Sequence, residues 1–138
     1  MSTGPSLADA RGIRWLFAVA AAWNIAAATA ALCFPAFHVA SFYGSGTEAH
    51  GVVAQLHMQA FWVSVLLFGL GYAIVARDPR KNHGIILLAA IGKSYVFVVW
   101  TVGWSRSEVT TLGLLGGIGD LLFAGVFAWF LWRVHNER

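Results

Sequence analysis

Charge is scarce in this sequence. Nine Lys and Arg and six Asp and Glu amount to 11% of 138 residues, against roughly 25% in a soluble domain. Cysteine is scarcer still, with Cys33 alone. One cysteine excludes an intramolecular disulfide framework and the Cys-rich zinc motifs. Cys33 closes an apolar run and reads as a small membrane-buried side chain rather than a redox centre. The chain also lacks an internal repeat, a low-complexity tract and a linker.

Apolar side chains take the place of charge. Hydrophobic residues make up 59% of the chain, and the mean hydropathy is +0.69. A soluble chain this apolar could not cover its surface, so lipid is its natural solvent. The length leaves room for one domain, 1–138. The formal charge of +3 does not point to nucleic acid, because the basic residues sit in short loops beside hydrophobic stretches.

A helix needs about 20 apolar residues to cross the hydrocarbon core. Four segments qualify: 13–33, closed by Pro35; 52–76, closed by Arg77-Asp78-Pro79-Arg80-Lys81; 85–104; and 112–132. The first exceeds the roughly 7–15 residues of a signal-peptide apolar region and is read as a retained helix. Backbone groups in lipid must pair within the segment, so all four are helices. Short connections make sequence neighbours antiparallel. The expected fold is an all-α, up-down four-helix bundle in the membrane.

Orientation follows from the basic residues. Arg11, Arg14, Arg77, Arg80, Lys81, Arg133 and Arg138 all fall at one end of such a bundle. The other end has only Arg106, with Glu48 and Glu108. The positive-inside rule then puts both termini in the cytoplasm. Trp15, Trp104 and Trp132 stand at predicted helix ends, where indole favours the interface. The outer stretch 34–51 predicts a short helix on the membrane over 37–43.

Helices in lipid associate through small residues. Ala20, Asn24, Ala28 and Ala31 share a face of the first span. Gly69 and Ala73 lie four apart in the second, and Gly113 and Gly117 four apart in the fourth. The spacing serves packing within the chain or a homodimer seam equally well.

Lys93 and Asp120 are the most informative residues. Each lies near the centre of its span, where a charge costs about 3 kcal/mol or more. Such groups turn inward and find a partner. The third span runs outward and the fourth returns, so the two differ in depth by about 5 Å at 1.5 Å per residue. A lysine stem covers that distance, and a Lys93–Asp120 contact is expected. Asn24 and Ser64 fall at the same depth in the first and second spans. Tyr95 and Ser94 are candidates to join from the third, and Gly92 and Gly119 leave room. This layer reads as a polar plug fixing helix register, as a pocket or relay for a small molecule or ion, or as a contact to a partner subunit. Gly117-Ile118-Gly119-Asp120 matches the pattern of intramembrane aspartyl proteases, but that chemistry needs two carboxylates sharing a proton. Asp9 and Asp78 lie outside the spans, so no catalytic residue is assigned.

His38, His50 and His57 fall near the outer end. With Cys33, Glu48 and Met58 nearby, they suggest a copper, zinc or haem site. Their spacing matches no strong motif, and no cofactor is expected. Gln55, His57 and Gln59 are placed to line a vestibule above Ser64. Phe97, Trp100, Phe123, Phe127 and Trp129 read as packing or lipid-facing groups before they read as a pigment site.

Trp23-Asn24 followed by Pro35, Gly71-Tyr72-Ala73 leading to Pro79, Gly92-Lys93 and Gly119-Asp120-Leu121 give a chain that resembles the small four-helix bacterial membrane proteins of the DoxX-like group. Members often have Asn where Gly119 stands. The resemblance implies a four-helix fold in a bacterial inner membrane and directs attention to Asn24, Lys93 and Asp120. It implies no reaction. The expected function is a non-enzymatic membrane protein with a ligand or ion pocket around Lys93 and Asp120. The alternatives are an accessory subunit of a larger, pigment- or redox-associated complex, and a metal or haem redox protein using the outer histidines. The expected partners are the bilayer and either copies of the chain or other subunits.

Overall fold

The computed structural model of the chain describes residues 11–44 and 51–136, and over these residues it is helical with no strand. The elements are α1 (Arg11–Cys33), α2 (Pro35–Tyr43), α3 (Val52–Arg77), a 3-10 turn (Pro79–Lys81), α4 (His83–Ser105) and α5 (Thr111–Asn136). Helices α1, α3, α4 and α5 are long and apolar enough to cross a membrane. All four helices extend past the apolar runs read from sequence, by a residue or two at most ends and by about a turn at the end of α5, because a polar side chain at a helix end does not break the helix. In α5 the extension carries Arg133 and His135 into the last turn, where positive charge meets the negative end of the helix dipole.

The long helices alternate in direction. At one end a buried cluster joins Ile13 and Phe17 of α1, Tyr72 and Val75 of α3, Ile86 and Ala89 of α4, and Phe127, Phe130 and Val134 of α5. Its centre is aromatic: Phe17 stacks on Phe127 with ring centroids 4.9 Å apart and meets Phe130 edge-on at 5.8 Å. A smaller cluster of Ala28, Ala31 and Trp62 ties the other end of α1 to the start of α3.

Two tight pairs build the bundle, α1 on α3 and α4 on α5, while α3 and α4 touch sparingly. Small residues make the pairs tight. A Cβ at Gly69 would lie 2.8 Å from Cγ1 of Ile25 and 3.2 Å from the Ile25 backbone nitrogen. A Cβ at Gly113 or Gly117 would lie 2.8 or 3.0 Å from Trp100. Ala20, Ala28 and Ala31 are buried in the same way. The small-residue seams are therefore filled by the chain's own helices.

The segment expected as a surface helix over 37–43 is α2, which starts at Pro35, a residue suited to the first helical position. It buries His38 and Val39 and leaves Phe34 and Phe37 facing out. Thr110, just before α5, holds it down. The Thr110 backbone N–H donates to the Phe42 carbonyl at 2.8 Å, and its hydroxyl to the Ser41 carbonyl at 2.6 Å. At the opposite end, Lys81 pairs with Asp78 at 3.3 Å in the exposed α3–α4 turn.

Candidate functional site

Lys93 is buried halfway along α4. Its ammonium pairs with the Asp120 carboxylate of α5 and donates to Oδ1 of Asn24 on α1 at 2.9 Å. The Asn24 amide in turn donates to the Val65 carbonyl of α3 at 3.3 Å. Four helices thus meet in one hydrogen-bonded chain. Two rings also face the ammonium, Tyr72 with its centroid 5.7 Å away and Phe123 at 5.3 Å, a cation–π arrangement that offsets part of the cost of burying the charge.

A cavity of about 300 Å³ lies against this group. Lys93, Asp120, Asn24 and Tyr72 form its polar end, and Trp23, Phe42, Phe61, Phe68 and Trp100 contribute aromatic wall. Asp120 turns one oxygen to Lys93 and keeps 18% of its side chain accessible. α2 closes the other end. His38 stacks on Phe42 at 4.4 Å and meets the Trp62 ring edge-on at 4.5 Å. Nε2 of His38 and Nε1 of Trp62 are both buried without a hydrogen-bond partner among the described residues. Burial pushes the His38 imidazole below its usual pKa and the neighbouring Tyr43 phenol above its own.

The residues singled out from sequence separate into two groups. Lys93, Asp120 and Asn24 come together. Ser64 lines the same cavity, but its hydroxyl donates back to the Ala60 carbonyl at 2.8 Å. Tyr95 does not join them: it is 69% exposed and flanks a neighbouring cleft with Tyr43, Val99 and Val109. Two residues after Lys93 the helix has turned by about 200°, which puts Tyr95 on the opposite face. Ser94 also faces out and bonds its own turn.

The two described histidines of this group have different surroundings. His38 is in the cavity roof, whereas His57 is exposed with Nδ1 2.9 Å from the Val53 carbonyl of its own helix. His50 lies outside the described residues. Among the described residues no three of His, Cys, Asp and Glu stand together as metal ligands would. Gln55 and Gln59 line a groove beside Val39 and Met58, on the outer side of Trp62, and not a vestibule over Ser64.

Sequence reasoning missed three contributors: Tyr72, Phe123 and His38 as roof. Tyr72 and Phe123 had a usable signal. Phe123 lies about one turn from Asp120 and Tyr72 about two turns from Ser64, and a buried ammonium attracts rings. The site defines the chain's class only coarsely, as a helical protein with four potential membrane spans around an internal ion pair. No protein-family model, curated protein or solved structure matches the chain.

Proposed function

We propose that this is a multi-span membrane protein that binds a small uncharged molecule in the cavity beside Lys93 and Asp120. The observation that carries the reading is a buried ion pair that borders open volume instead of being packed over. A pair serving packing alone needs no cavity, and Asp120 lines this one with part of its side chain accessible. At about 300 Å³ the volume sits at the low end of the roughly 300–1,000 Å³ of ligand pockets. The outward faces of the four long helices, with Leu67, Leu88, Ile91 and Leu122 each at least 60% exposed, support residence in a bilayer, since so much apolar surface is rare on soluble monomers. We place the end with Arg11, Arg14, Arg77, Arg80, Lys81 and Arg133 in the cytoplasm and the protein in the bacterial inner membrane. Kinship with the DoxX-like group is part of this proposal. It is supported by the convergence of Trp23, Asn24, Tyr72, Lys93 and Asp120, from four of the short matching elements, on one site.

The direct Lys93–Asp120 contact favours a second reading, a polar clamp that fixes helix register. Binding of naphthalene, 2-naphthol and 2-acetylnaphthalene to the protein in lipid nanodiscs separates the two. The pocket reading expects saturable binding that depends on the polar head, and its loss in the folded Lys93→Met/Asp120→Leu double variant. Absence of binding to the wild type, or equal binding by the double variant, overturns it in favour of the clamp.

A further inference from the structure

The cavity is closed on three sides. Toward the start of α1 and the end of α5 it ends on Tyr72 and the buried cluster behind it. At the other end α2 roofs it. On the α1–α5 side Trp23 bridges the seam: its indole sits where a Cβ at Gly119 would come within 3.1 Å, and its ring centre is 6.2 Å from that of Phe123.

Among the described residues no ring contact joins α3 to α4 in this way. The wall there includes Ser64, an exposed residue whose hydroxyl is turned away to Ala60, and Gly92, where an added Cβ would meet no atom within 4 Å. Phe61 and Phe68 line the cavity while remaining 39% and 36% exposed. Phe61, Val96 and Trp100 are shared with the cleft beside Tyr95, so the opening continues along the α3–α4 groove. If the long helices span a bilayer, this opening faces lipid and not water.

We propose that the gap between α3 and α4 is a lateral portal, through which a membrane-dissolved phenol reaches Lys93 and Asp120; this rests on the pocket reading above. The chemistry of the occupant follows from what the polar end offers. The ammonium has three hydrogens, one directed to Asn24 and one to Asp120. The second Asp120 oxygen receives no donor among the described residues. A hydroxyl group can accept from the first and donate to the second. An amine or a carboxylate would add a net charge to a pair that is already neutral, at high cost in a medium of low polarity. The aromatic wall selects a ring to carry the hydroxyl.

Stopped-flow fluorescence of 2-naphthol with the full chain in nanodiscs tests the portal and the ligand class together. Ser64→Phe narrows the opening without touching the polar end, and Gly92→Val does so from the other helix if the first variant does not fold. Either is expected to slow association by about fivefold or more. Asp120→Asn is expected to weaken Kd about tenfold with association little changed. 2-Naphthol is expected to bind at least about tenfold tighter than naphthalene or 2-acetylnaphthalene. Unchanged rates in the portal variants, with wild-type binding intact, overturn the portal and leave the pocket standing. Preference for the ketone or the bare hydrocarbon overturns the phenol. No saturable binding by the wild type overturns the pocket and this inference together.

Discussion

Lys93 is a charge with three different kinds of neighbour, and each constrains it differently. Asp120 neutralises it, Asn24 takes one of its hydrogens, and the Tyr72 and Phe123 rings face it. Removing one member of such a pair strands the other, which typically costs about 3–5 kcal/mol, whereas replacing both by apolar groups is often neutral or stabilising. Lys93→Met alone is therefore expected to be much less stable than Lys93→Met/Asp120→Leu, as read by unfolding in mixed micelles. A single variant as stable as the double would mean that the pair is not tightly coupled. His38 makes a second prediction at this scale. Its buried imidazole has a lowered pKa, so the folded chain binds fewer protons there than the unfolded chain. The stability it contributes is complete above about pH 6.5, the ordinary histidine value, and is lost as the pH falls below it. Tm is expected to drop on acidification from about pH 7.5 to 5.5, and His38→Phe to drop less. Equal slopes in the two proteins would rule out His38 as the titrating group.

The same residues show what sequence reading reaches. A charge in lipid must find a partner, so Lys93 and Asp120 were paired by depth alone. Asn24 was found by depth as well. Depth says nothing about azimuth, and that is where Ser64 and Tyr95 diverge from the expectation. Ser64 reaches the cavity but bonds its own turn, an option open to any helical serine. Tyr95 is at the right height on the wrong face. Its misplacement was calculable, since helix rotation between neighbours two apart is known. His38 was not calculable: whether α2 lies flat on the membrane or closes the bundle depends on its docking to Thr110.

At the scale of helices, two glycine positions of similar sequence context behave differently. Gly113 is pressed against Trp100, with a Cβ falling 2.8 Å from its ring, whereas at Gly125 a Cβ would meet nothing within 4 Å. Gly113→Ala is expected to cost about 1–3 kcal/mol through overpacking. Gly125→Ala is expected to be neutral or to stabilise by up to about 1 kcal/mol, because alanine is the better helix former. Thermal melting of the two variants in detergent checks this, and a similar loss in both would mean that α5 uses its glycines for something other than the contact with α4. The sequence spacing of small residues marked the seams, but it could not say which helix fills each one. The pairing α1 with α3 and α4 with α5 supplies that answer. It also explains the cavity, which lies where the two pairs meet less closely.

At the scale of the whole molecule, the distribution of charge is the main prediction. The described basic residues outside α4 and its outer turn gather at the end where α1 begins and α5 finishes. In a Cys33→Ala background, Arg80→Cys is expected to react with a membrane-impermeant maleimide only after the membrane is permeabilised, and Glu108→Cys in intact cells. Labelling in the reverse order would invert the proposed topology. The sequence alone determined the four long helices, their alternation and the pairing of Lys93 with Asp120, because hydrophobic length and buried charge are local demands that any fold in lipid must meet. Only the tertiary structure decided which faces meet, that α2 closes the bundle, and that the ion pair borders a cavity open between α3 and α4. Those features depend on how helices rotate and where bulky rings such as Trp23 and Trp100 come to rest, and rotation and packing are set jointly by residues far apart in the chain.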